Sequence, residues 1–180
     1  RVEEMLERLR RLHEEVKRRI DEVLRELEEE SKRNEERIRR VLERLRDEHR
    51  KLKETLDRRN ADDDLRRTLE ENRRKVEEII RRLEELNERA RKELKKIVDE
   101  LRKKLEENLK RVEDVIREPV DEEELERLER KSRESIERLK DTLRELKERL
   151  KRISDRSDEK LREAEKRSRE SIEEVKKRAK

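Results

Sequence analysis

In this chain of 180 residues, 63% are charged and 27% apolar, and there is no glycine, cysteine or aromatic residue. That composition excludes disulfide and thiolate chemistry, a membrane-spanning run of ~18 apolar residues and the usual make-up of a globular domain, leaving the long-helix and coiled-coil class. The 59 basic and 55 acidic residues are spread evenly along the chain, so no segment carries the concentrated basic field expected of a nucleic-acid-binding protein.

The helical pattern breaks in only two places. The first predicted helix covers residues 2–59 and ends at Asn60, the residue type after glycine best suited to the left-handed position that closes a helix. Asp62, Asp63 and Asp64 follow as an N-cap and as acids for the positive end of the next helix. This second helix spans 63–117 and stops before Pro119, which cannot continue it and disfavours helical geometry at Glu118. Asp121 then stands as an N-cap with Glu124 three residues on. Val120 and Leu125 occupy the two positions of a hydrophobic staple. The third helix covers 122–179. At 1.5 Å per residue each helix is roughly 85 Å long, and matched lengths with tight turns predict a single all-α, antiparallel up-down-up three-helix bundle.

The apolar positions recur every 18 residues. Val2, Ile20, Ile38 and Leu56 form one row of the first helix, and Leu6, Leu24 and Leu42 another. In the second helix, Leu65, Leu83 and Leu101 match, as do Val76, Leu94 and Val112. In the third, Leu125, Leu143 and Leu161 match. Eighteen residues complete five turns at 3.6 residues per turn, so the pattern demands neither the left-handed supercoil of a heptad nor the right-handed one of an 11-residue repeat. Nearly straight helices are expected. Each repeat offers about six inward positions, such as 20, 23, 24, 27, 31 and 34, a stripe wide enough to touch two neighbours. Such register is foreign to a disordered polyelectrolyte, the competing reading of the composition.

Uncharged polar residues interrupt the stripe, and folding the helices up-down-up brings them to three levels. His13 lies level with Asn108, Ser132 and Ser135. Ser31 and Asn34 lie level with Asn87, Ser154 and Ser157, and His49 with Asn72, Ser168 and Ser171. Buried polar groups left alone cost about 1–3 kcal/mol each, and grouping supplies partners. Three buried polar layers are therefore expected, with the SRESIE segments at 132–137 and 168–173 serving the outer two. They would set helix register, because a slip by one repeat would still match leucine to leucine but would place Asn34 against a purely apolar layer.

With these rows, the Asp121–Leu125 capping device and the absence of Gly, Cys and aromatics, the chain resembles computationally designed parametric helical bundles. The likeness is to untwisted three-helix bundles carrying buried hydrogen bonds, and it extends over all 180 residues. It implies a structural scaffold without catalytic, cofactor or metal sites. The residues agree with that expectation. His13 and His49 lie roughly 54 Å apart along one helix and cannot share a metal. The serines near His13 lack an orienting acid and an oxyanion hole. No partner, nucleic acid or membrane is expected, and the chain reads as soluble, with no targeting signal and no compartment specified. A monomer is expected because few apolar residues (Leu12, Leu86 and Leu109) stray from the stripe. The alternative is an oligomerising module, a dimer or a helix-swapped assembly. Burial of a neutral imidazole opposes protonation, so acid is expected to lower the melting temperature.

Overall fold

The computed structural model describes residues 1–179 and contains three α-helices: α1 (Val2–Arg58), α2 (Asp63–Val115) and α3 (Glu122–Arg178). No strand occurs among the described residues. The protein is thus an all-α three-helix bundle, with helix ends within two residues of those read from the sequence.

Both helix breaks are built from the residues that predicted them. Asn60 has φ 50°, the left-handed conformation. Its N–H donates to the Asp57 carbonyl at 3.3 Å, and the Ala61 N–H donates to the Leu56 carbonyl at 3.0 Å. These are the two bonds of a Schellman motif, which satisfy carbonyls orphaned at the end of α1. Ala61 packs into the apolar cluster that contains Leu56, the hydrophobic contact that accompanies this motif. At the second break the Glu124 N–H donates to Asp121 Oδ1 at 2.9 Å, so Asp121 is the N-cap of α3. Acids fill the first turn of all three helices, and Lys176, Lys177 and Arg178 fill the last turn of α3, complementing the helix dipoles.

Helix directions follow from ion pairs between helices. Arg8, Arg37 and Arg44 of α1 pair with Glu129, Asp158 and Glu165 of α3, always 121 residues on. This constant offset makes α1 and α3 parallel. Against α2 the numbering runs in opposition: Arg10 pairs with Glu113, Asp21 with Arg102 and Arg46 with Glu77. α2 is therefore antiparallel to both. Exposed pairs of this kind contribute little stability individually, on the order of 0–1 kcal/mol.

Contacts gather the chain into two units. One is formed by residues 1–29 and 91–151, the other by residues 30–90 and 152–180. Each takes a segment from all three helices. In the first unit, Met5, Leu9 and Val112 form a buried cluster flanked by Leu6, Leu12, Ile116, Leu125 and Leu128. Leu12, off the expected stripe, thus packs against the core. In the second unit, Ile38, Val41, Leu45, Val76, Ile80, Leu83, Leu161 and Ala164 form one cluster, and Leu52, Leu56, Leu69, Ile172 and Val175 form another. Apolar burial at about 25 cal/mol per Å² supplies the driving force for each. Among the described residues, no helix is long and apolar enough to cross a membrane.

The two caps set a first prediction. Asp121→Ala should cost about 0.5–2 kcal/mol, whereas Asn60→Gly, which keeps the left-handed position free of strain, should cost nothing. Guanidinium denaturation followed by circular dichroism checks both.

Candidate functional site

The polar residues predicted to face inward are the best-defined candidates for a functional arrangement, and the structure treats the three groups differently.

In the first unit, His13, Asn108 and Ser132 are all buried; His13 is 5% exposed. His13 Nδ1 lies 2.6 Å from the Leu9 carbonyl, one turn back on α1. A carbonyl only accepts, so Nδ1 carries the proton and Nε2 is left as an acceptor. Asn108 Nδ2 on α2 donates to Nε2 at 3.3 Å and also to Ser132 Oγ on α3 at 2.9 Å. The Ser132 carbonyl stands 3.4 Å from the same amide nitrogen. One asparagine thereby links all three helices. Both ring nitrogens of His13 are committed within a closed interior, so neither is presented to a substrate. Ser135, placed in this group by the sequence reading, is half-buried and joins none of these bonds.

The second group lies in the other unit. Asn87 Nδ2 donates to Ser157 Oγ at 3.1 Å, and Ser157 is 1% exposed. Ser154 instead donates to Glu30 Oε2 at 3.1 Å, while Glu30 Oε1 accepts from Arg33 at 2.8 Å. Asn34 is buried at 6% exposure, and its Oδ1 has no hydrogen-bond partner. Ser31 is half-buried and takes no part in these bonds. Sequence reasoning brought Ser154 to the right level but missed Glu30, a residue adjacent to Ser31 whose flexible side chain reaches inward from the rim of the stripe.

The third group, also in the second unit, brings its members together without direct bonds between them. His49, Asn72, Ser168 and Ser171 line a small cavity of about 20 Å³ with Arg73, Glu77 and apolar neighbours. His49 Nε2 is buried without a hydrogen-bond partner, and the nearest acid, Glu70, places Oε2 3.7 Å away, beyond bonding range. Glu70 Oε1 accepts from Arg73 Nη2 at 2.5 Å. That bond holds the Glu70 carboxyl below its usual range. Burial lowers the His49 pKa from its ordinary 6.5, and the nearby Arg73 charge lowers it further. Glu70 and Arg73 were not anticipated from the sequence. Their signal was position: two charged residues flanking Asn72 at the edge of the inward stripe.

No group of three or more His, Cys, Asp or Glu side chains able to hold a metal exists among the described residues. Leu86 is the most exposed large apolar residue, at 57%. Compared with protein families, curated proteins and solved structures, the chain matches none.

Two predictions follow from these geometries. Asn108→Leu strands His13 Nε2 and Ser132 Oγ and should cost about 1–3 kcal/mol. Asn34→Leu removes an oxygen already without a partner and should leave stability unchanged or raised; chemical denaturation of the two variants side by side distinguishes them. For pH, a depressed histidine pKa means the unfolded chain takes up the proton first. His49's contribution is full above pH 6.5 and declines as pH falls below it. Glu70, whose carboxyl is depressed, adds a separate loss below about 4.5. In melting curves, His49→Asn should flatten the limb between pH 6.5 and 5 and leave the limb below 4.5 intact.

Proposed function

We propose that this protein is a structural scaffold of designed origin, with buried polar contacts that fix which helix segments face one another. The observation that carries the reading is the His13–Asn108–Ser132 chain of hydrogen bonds, which joins three helices through one buried amide. The physical argument is the asymmetry of buried polar groups. A matched set adds modest stability, yet any displaced register strands each member at about 1–3 kcal/mol. Apolar rows that repeat every 18 residues lack that discrimination, since one leucine accepts another. The device has a parallel in coiled coils, where a single buried asparagine selects alignment at some cost in stability.

Other features support the same reading. Charges of both signs cover the outer faces in near-equal number, and many pair locally one turn apart, as Arg11 does with Glu7, Arg19 with Glu15 and Arg82 with Glu78. Surfaces of that kind favour solubility over specific recognition. His13 serves hydrogen bonding between helices and His49 lines a small interior cavity, and no metal or cofactor is invoked. A second reading, an oligomerising module, draws on the exposed Leu86 and Val115.

The test combines mass and register. Size-exclusion chromatography with light scattering should give 22.6 kDa; twice that mass would favour the oligomerising reading. His13→Leu, Asn108→Leu and Ser132→Ala should be combined in one chain and compared with the parent by pulsed electron resonance between spin labels on α1 and α3. The expected outcome is a protein as stable as the parent with a broadened or multiple distance distribution. A single unchanged distance would overturn the register role.

A further inference from the structure

We propose that the cavity beside His49 is a specific binding site for a single water molecule, which joins α1 to α2 by bridging His49 Nε2 and Arg73 Nε. Two buried nitrogens without hydrogen-bond partners, His49 Nε2 and Arg73 Nε, belong to residues that line one cavity. They come from different helices and differ in chemistry. Arg73 Nε–H can only donate. His49 Nε2 accepts when the ring carries its proton on Nδ1 and donates in the other tautomer. The common partner must accept from a guanidinium while either donating to or accepting from an imidazole. Water meets both conditions. A halide, which can only accept, would serve one tautomer alone, and a metal cation would be repelled by Arg73.

Size selects the same occupant. A volume of about 20 Å³ exceeds the roughly 10–15 Å³ that one water needs and is at the lower limit of what two would need. Apolar cavities stay dry, whereas polar ones with two to four partners hold water. Here Asn72, Ser168 and Ser171 also line the space and can supply the remaining bonds. Glu70 stands beside both side chains. Glu70 Oε1 holds Arg73 Nη2, and its Oε2 stands 3.7 Å from His49 Nε2. Water would therefore extend the Glu70–Arg73 pair to His49, which Glu70 itself stands too far away to bond. The His13 group needs no such bridge, since Asn108 spans its helices directly.

A high-resolution crystal structure of the intact chain, with a parallel bromide soak, tests the site. One water peak at roughly 2.7–3.2 Å from both His49 Nε2 and Arg73 Nε is expected. An empty cavity, a bromide anomalous peak there, or His49 turned to bond a neighbouring side chain directly would each overturn it. In solution, water-selective cross-relaxation should reach His49 Hε1 in the parent. It should vanish in Ser171→Val, which fills the cavity with methyl groups, while both proteins keep the same helical circular dichroism. Absence of the signal in the parent, or its persistence in the filled variant, would also overturn the assignment.

Discussion

A polar atom taken out of water must find a partner, and this constraint shapes the inner faces of all three helices. The apolar stripe drives association, but leucine against leucine is a tolerant contact that says little about which leucine is opposite. The few polar atoms among them are intolerant. At His13 the constraint is met in full: a backbone carbonyl takes the Nδ1 proton, and one amide serves both the imidazole and a serine hydroxyl.

Where the constraint is met only partly, charged residues at the rim of the stripe intervene. Glu30 turns inward to accept from Ser154, and Glu70 and Arg73 form a pair beside His49. The effect on chemistry is direct. The His13 ring has neutral partners fixed by geometry, whereas burial, and then the nearby Arg73 guanidinium, oppose protonation of His49. Two histidines at equivalent places in an 18-residue repeat thus acquire different neighbours from the other helices. Asn34 keeps a buried oxygen without a partner, a cost to stability that the interior leaves uncompensated.

Much of this was legible in advance. The helix ends were, because their determinants are local: Asn60 adopts the positive φ its type tolerates, and Asp121 caps the nitrogen three residues on. The levels of the polar residues were legible too, since periodicity and helix length fix height once the directions alternate. Asn108 does meet His13 and Ser132, and Asn87 does meet Ser157. Within a level the sequence could not choose partners. Ser31 and Ser135 lie at the right heights yet join no such bond, because angular position around the helix and rotamer decide reach, and a periodic pattern resolves angle only coarsely.

By itself, then, the sequence determined three helices, their ends, their alternating directions and which residues turn inward, all consequences of backbone sterics and of a repeat commensurate with five helical turns. The tertiary structure decided which polar atoms bond, which remain unpartnered and which charged side chains reach in from the rim. It also decided how the contacts gather into two units, each with a segment of all three helices. The physical reason is range. Capping and periodicity act over a few residues of one chain segment, whereas hydrogen bonds between helices depend on angstrom-scale placement of side chains that only packing can fix.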